Sequence, residues 1–449
     1  MKRSQPCVLI YNPISGHGHL DSWNALFVGL LLERGYRIIV LTPDRKALES
    51  RLAQRKLVDH PMLHILDWNT PRKLHRLQRL WHWWLSYGKS YADQYPESRV
   101  TPQMPARTRI KKRVFQIIVP PLFRLSRLVH ILFPQESGDP AECHYLEPVD
   151  MAYHINAALK KTPWRPDCLL NMYLDMYKTG VEGWRQFALR CRLPWGGVRF
   201  APADPPPQEG YYSLPSLRGV CFLDEAVCQA YSTSLPDKYF QYIPDITNEE
   251  LSEHPCYLAE EIMCRAAGRK IVFLGGSMVR KKNIARWSEL ITLADSRRWF
   301  FVQVGEVYGH TFSPADIAAL ERLVAHPPEN LFLHTHYLPD EKEFNAIIRI
   351  ADILFAVYRD FRNSSNMLSK AAYFEKPILV SDGYLMGDRV RRYGIGVVVD
   401  QDDVQGMLSA IERLAESLVS PECFAAYRGE FNEEALTSAL EKFVMRAFR

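Results

Sequence analysis

"NSSNMLSKAAYFEKPILVSDGYLMGDRV", Asn363 to Val390, opens on four small polar residues, continues as a helix-like stretch and passes into a β-branched run that closes at Asp382-Gly383. A helix followed closely by a buried strand is the repeating unit of a parallel sheet, because parallel neighbours need a crossover connection. The polar start has two readings. Ser and Asn side chains cap the free N–H groups of a first helical turn. The same N–H groups, with the positive end of the helix dipole, make a site for a phosphate. Capping needs one such residue and the sequence supplies Asn363, Ser364, Ser365 and Asn366, so both readings stand.

The alternation extends in both directions. Before this stretch come the strand "KIVFLGGSM", a helix from about Ala285 to Ser296, the strand "WFFVQVGEV", a helix near Pro314 to Ala325, then "LFLHTHYLP" and "EKEFNAIIRIADILFAVY"; after it comes "IGVVVDQDD". An earlier cycle starts at "CVLIYNP", with a glycine loop "SGHGH", a helix "LDSWNALFVGLLLERG" closed by Gly35 and a second strand "YRIIVLTPD". Two short apolar runs with polar ends, "DCLLNMYLD" and "RGVCFLDE", continue it. Such alternation predicts an α/β fold with parallel sheets, whose ligands sit at the carboxyl ends of strands. The two cycles part near Asp237 to Asn248, which predicts two Rossmann-like domains facing each other across a cleft. Their expected extents are residues 1–237, with a basic, Trp-rich insertion at about 70–135, and residues 238–425; a helix within 426–449 then crosses back to the first domain.

Composition agrees with that division. A chain of 449 residues exceeds the size at which one core keeps growing. Hydrophobic residues at 47% and charged ones at 24% exclude a disordered class. The apolar run in "MKRSQPCVLIYNPISGHG" is short and breaks at Asn12-Pro13, so it fits neither a signal peptide nor a spanning helix, and a cytoplasmic location is expected. Nine cysteines, scattered from Cys7 to Cys423 without a C-x-x-C pair, read as reduced core residues.

Charge is unevenly placed. From Arg72 to Arg127 a basic belt is opposed only by Asp93 and Glu97. Within it Leu74, Leu77, Leu80, Trp81, Trp84 and Leu85 share one helical face and Arg72, Arg76 and Arg79 lie opposite. Trp, Leu and Arg in this mixture suit the interface of an anionic bilayer; the other reading is a helical hairpin packed on the protein with snorkelling arginines. No nucleic-acid-binding module accompanies the charge, so nucleic acid is not an expected partner.

"FLGGSMVRKKN", "ADILFAVYRDFRNSSNMLSKAAYFEKPILVSDG" and "YGIGVVVDQDD", in that order, resemble the C-terminal domain of GT-B glycosyltransferases, most closely family 4 (group 1), over roughly Lys270 to Glu416. "NPISGHGHLDSWNALFVGLLLERGYRIIVLTPD" looks like the glycine loop and first helix of the N-terminal domain. The resemblance implies a nucleotide-diphosphate sugar as substrate, with no other cofactor and no metal. Taken with the basic belt, it leads to the expectation of transfer to a glycan or lipid-linked acceptor at the cytoplasmic face of a membrane. The family holds donor sugar and ribose with a pair of glutamates. Here those positions fall on Arg362 and Lys370, and the nearest loop carboxylate is Asp360. The departure keeps two other classes open, a sugar-nucleotide epimerase of similar build and a non-catalytic scaffold.

The residues themselves suggest roles. Gly275, Gly276 and Ser277 let the backbone turn closely after a strand, and Arg280, Lys281 and Lys282 are placed to neutralise a diphosphate. Gly16, His17, Gly18 and His19 form a loop on the acceptor side, with His19 a candidate general base and Asp21 a group to orient it or to cap the helix. Asp175, at the end of a candidate strand facing the same cleft, is a third catalytic candidate beside His19 and Asp21. His336, with His334, follows a strand where the family holds the nucleotide base; without a third ligand the two histidines do not read as zinc ligands. Asp400 and Asp402 read as ordinary acidic residues before a helix.

Overall fold

The structure, a computed structural model, describes residues 6–15, 20–68, 146–177, 180–203, 205–207, 210–247, 249–252, 254, 256–338 and 340–448. The loop Gly16, His17, Gly18 and His19 and the belt from Arg72 to Arg127 lie outside the described residues.

The first half builds β1 (Cys7–Tyr11), α1 (Leu20–Glu33), β2 (Arg37–Thr42), α2 (Arg45–Gln54) and β3 (Leu63–Asp67). It continues through α3 (Pro148–Leu159), β4 (Cys168–Asn171), α4 (Val181–Arg190), β5 (Trp195–Val198), β6 (Leu217–Phe222), α5 (Glu225–Ser234) and β7 (Tyr239–Tyr242). The seven strands form one parallel sheet in the order β3-β2-β1-β4-β5-β6-β7. Every residue of β1 is buried, as expected of a central strand covered by helices on both faces.

The second half repeats the plan. It runs through α6 (Tyr257–Ala266), β8 (Lys270–Gly275), α7 (Ile284–Leu293), β9 (Trp299–Val304), α8 (Pro314–Ala325), β10 (Leu331–His334) and α9 (Glu341–Ile350). Then come β11 (Ile353–Ala356), α10 (Met367–Tyr373), β12 (Ile378–Ser381), α11 (Leu385–Tyr393), β13 (Gly396–Val399) and α12 (Val404–Glu416). Its six parallel strands are ordered β10-β9-β8-β11-β12-β13. In both sheets the order reverses beside the first strand, between β1 and β4 and between β8 and β11, which opens a crevice at the strand ends. Local signals explain several boundaries. α8 opens on a capping box of Ser313 and Asp316 with Pro314 in its first turn, and the Asp403 side chain caps α12 by accepting from the Gly406 N–H.

One boundary differs from the sequence reading. The helix of the opening stretch starts at Met367, not at Asn363, and spans seven residues. The Ser364 hydroxyl is bonded away from the helix, so residues 363–365 form a loop and only Asn366 stands at the cap.

After α13 (Pro421–Glu430), α14 (Glu433–Ala447) packs on β6, β7 and α1 of the first sheet. Phe443 stacks with Tyr239 of β7, and Glu434 and Glu433 pair with Arg34 and Arg55. Among the described residues no helix is long and apolar enough to cross a membrane.

Candidate functional site

β8 ends in Gly275 and turns at Gly276, whose φ of 91° lies in the left-handed region that glycine enters without strain. The neighbouring turn after β9 carries Gly305 at φ 154°, and a Cβ there would stand 1.9 Å from the Gly276 carbonyl oxygen. The two turns therefore touch backbone to backbone. Beneath them the Lys282 side chain folds back: its ammonium donates to the Gly275 carbonyl at 2.6 Å and to the Tyr358 hydroxyl at 2.7 Å. Burial pushes the Lys282 ammonium down to about 7. Lys281, half-buried, sets its ammonium 3.9 Å from the Phe361 ring centroid, and burial aided by neighbouring Lys282 pushes it down to about 8.

A third cation arrives from α11. Arg389 is buried; its guanidinium donates to the Leu223 carbonyl, at the end of β6, at 2.5 Å and to the Ser364 hydroxyl at 2.8 Å. Ser364 in turn donates to Asp245 at 2.7 Å, and the Ser369 hydroxyl donates to the Asp245 carbonyl at 2.5 Å. Burial raises the Asp245 carboxyl above the usual range, against the pull of Ser364, Arg389 and Lys281. Arg389 thus bonds the loop that leads into α10, Lys281 lies over Phe361 just before it, Lys282 sits behind the glycine turn against Tyr358, and Asp245 is the carboxylate bonded to the loop.

Two cavities adjoin this centre. The larger, about 570 Å³, lies between α1 and α2 on one side and α10 and α13 on the other, with Trp23, Asn366, Ser369 and Tyr427 in its walls. The smaller, about 140 Å³, is lined by Gly276, Ser277, Gly305, Glu306, Leu338 and Phe344. Arg51 and Glu341 line both. Glu341 accepts from Lys370 at 3.0 Å; Lys370 is fully buried and also donates to Asn345 at 2.5 Å. A third cavity, about 330 Å³, holds Arg362, Asn363 and Ser364 opposite Phe200 and Leu223.

The sequence-derived candidates fall into separate groups. Gly275, Gly276, Ser277, Lys281, Lys282 and the loop to Asn366 converge on the centre, while Lys370 sits inside α10 as the partner of Glu341. Arg280 and His336 are exposed; the Arg280 N–H donates to Thr311, and the His336 ring lies 5.7 Å from that of His334. Asp360 is exposed and lines none of these cavities, because its N–H and carboxylate form a reciprocal pair with the Gln401 amide at 2.8 and 3.0 Å. Asp21 accepts from Ser15 at 2.7 Å and from Asn12 at 3.4 Å, tying the loop after β1 to the start of α1. Asp175 accepts the N–H groups of Phe200 and Ala201, both at 2.8 Å, and so holds the loop after β5. Asp402 accepts from Arg359 and Arg286. Among the described residues no group of three or more His, Cys, Asp or Glu is placed to hold a metal ion.

Sequence reasoning missed Asp245, Arg389, Glu341 and Arg51. A signal existed for one of them: Arg389 shares a helical face with Met386 and Tyr393, both buried, whereas its neighbours Arg391 and Arg392 are exposed. Glu341 reads as an ordinary first-turn acid.

No protein-family model and no curated protein matches the chain. Solved structures do, at low identity. A glycosyltransferase from Rickettsia africae superposes with a TM-score of 0.62 at 10% identity, covering 98% of each chain. An E. coli trehalose-6-phosphate protein bound with UDP-2-fluoro glucose gives 0.59 at 11%, covering 99% of each. Anabaena HepE in complex with UDP gives 0.56 at 9%, covering 98% of this chain and 100% of the other. The fold is that of GT-B glycosyltransferases.

Proposed function

We propose that this chain is a glycosyltransferase, akin to family 4, that moves a sugar from a nucleoside-diphosphate donor to a glycan or lipid-linked acceptor. One observation carries the reading: three buried or half-buried cations, Lys281, Lys282 and Arg389, lie at the glycine turn and the loop that opens α10, and among the described residues Asp245 is the carboxylate bonded to that loop. Removing positive charge from water is costly unless an anion accompanies it. A diphosphate is such an anion. The glycine turn offers close backbone approach and the loop before α10 offers further N–H groups. The smaller cavity, with Val304, Leu338 and Phe344 in its walls, has room for a flat ring next to the turn. The ligands of two fold neighbours, UDP and UDP-2-fluoro glucose, are of this class.

The chemistry follows from charge. As the bond between sugar and diphosphate breaks, negative charge grows on the leaving phosphate oxygen. Fixed cations in a low-dielectric site stabilise that charge more than they stabilise the ground state. Asp175 and Asp21 serve as loop anchors rather than as proton acceptors. The basic belt is assigned to docking on an anionic membrane surface, which supplies the acceptor; co-sedimentation with anionic liposomes, lost at high salt, tests this part.

The central test is calorimetry on the Lys281→Ala/Lys282→Ala double variant. Two charge-assisted phosphate contacts of about 1.5–3 kcal/mol each disappear from the complex, whereas the Lys282 bonds to the Gly275 carbonyl and the Tyr358 hydroxyl are lost with or without ligand, so the melting temperature of the free variant is measured alongside. Affinity for nucleoside diphosphates therefore drops by roughly 100-fold or more, while affinity for nucleosides stays nearly unchanged. Equal affinity of variant and parent for the diphosphates would overturn the proposal. Turnover of a nucleotide sugar without acceptor would instead favour an epimerase.

A further inference from the structure

Three arginines punctuate α2 and its end. Arg45 binds Glu49 within the helix, and Arg55 binds Glu433 of α14. Arg51 has no hydrogen bond or ion pair among the described residues. It is half-buried, and it lines both cavities. In the smaller cavity it is the one lining residue from the first domain; the other walls belong to β8, β9, α9 and the turns that follow the strands. Two carboxylates share that cavity, yet each is committed elsewhere: Glu306 accepts from the Tyr308 hydroxyl at 2.7 Å and Glu341 accepts from Lys370. The guanidinium thus lines a cavity of the opposite domain without an ion pair among the described residues, while Glu249 and Glu250 stand in the walls of the larger cavity beside it.

We infer that Arg51 binds the phosphate oxygens of the nucleotide from the first domain, opposite the lysines of the second, so that the ligand joins the two domains by charge. The inference rests on the proposed donor site and adds a residue to it. A ring seated in the smaller cavity leaves by the passage between Arg51 and Glu341 toward Asn366. The phosphates attached to it pass that guanidinium, whose planar fork suits paired phosphate oxygens. A lysine there keeps the charge but loses the fork.

The test compares the parent, Arg51→Ala and Arg51→Lys by calorimetry against UDP, GDP and ADP, with the matching nucleosides as controls. Arg51→Ala is expected to weaken diphosphate binding by roughly tenfold or more and to leave nucleoside binding unchanged. Arg51→Lys recovers part of the loss. The melting temperature without ligand stays at the parent's value, since the side chain holds nothing in the protein. Raising the salt concentration shrinks the gap between parent and Arg51→Ala. If the parent binds a diphosphate and Arg51→Ala binds it equally well, the inference fails and the donor site stands. A loss that is the same for nucleosides also overturns it, because the contact is then to the base or ribose. If the parent binds none of the three diphosphates, the donor site falls and takes this inference with it.

Discussion

At the strand ends of the first sheet, carboxylates turn inward to hold loops, Asp21 through side chains and Asp175 through backbone N–H groups. Asp21 fastens the loop after β1, and Asp175 takes two N–H groups of the loop after β5. Beyond β8 of the second sheet the buried and half-buried charged groups are lysines, while the acids Asp360, Asp382 and Asp400 that follow its other strands are exposed. One of them, Lys282, spends donors on a glycine turn and a tyrosine while keeping a depressed affinity for its proton. The contrast separates two kinds of polar residue that look alike in a sequence. On the proposed function, an anion that already accepts good hydrogen bonds from the protein is scaffold, and a buried cation with few protein acceptors is a ligand contact.

Arg389 gives the comparison its severest trial. Replacing it by Ala leaves Asp245 buried without its nearest guanidinium and frees the Leu223 carbonyl, so unfolding in urea should reveal a loss of about 3 kcal/mol or more. A loss under about 1 kcal/mol would mean that the group is hydrated and not a buried charge cluster.

Asp175→Ala comes next. Two N–H groups lose a charged acceptor, which costs about 2–3 kcal/mol of stability, and turnover per folded molecule is expected to survive. Asp175→Asn that folds like the parent and yet transfers no sugar would place a working carboxylate in the first domain and break the comparison.

A smaller, graded effect is expected from pH. A diphosphate favours the charged lysines, whose proton affinities burial has lowered to about 7 and about 8. Diphosphate affinity should fall several-fold between pH 6.5 and 9, with proton uptake on binding visible as a buffer-dependent heat near pH 8. Without ligand the sign reverses. Between those values and the ordinary lysine value of 10.5 the unfolded chain binds more protons, so stability from these two groups rises with pH through that window. A flat affinity profile would show that neither ammonium meets the phosphates.

Asp360→Ala marks the lower end. Its carboxylate is exposed and paired with Gln401, and its φ of 50° is a left-handed setting that Ala enters less readily than Asp, so stability should fall by about 1 kcal/mol while nucleotide affinity stays at the parent's value.

These particulars also show what could be read from residues alone. Buried strand runs such as "CVLIY" and "KIVFLG" have a period and a composition that fix parallel packing before any contact is known. The glycine turn was legible because glycines after a strand have a local steric meaning. Ser364 was not. Its hydroxyl chooses between capping α10 and bonding Asp245, more than a hundred positions away, and nothing in "NSSN" records that partner. The partners of Asp175 were hidden for the same reason, since the N–H groups it accepts come from a loop beyond the next strand.

The return of α14 to the first sheet has a consequence in time. β7 leaves the ribosome long before residues 433–447 do, and at about 5–20 residues per second the intervening chain takes on the order of 10–40 s to appear. During that interval the outer face of β6 and β7 lacks Phe443, and Arg34 and Arg55 lack their glutamates. The first sheet therefore emerges early and is completed late. In the cell the nascent chain offers an apolar strip to chaperones until the second domain has been made.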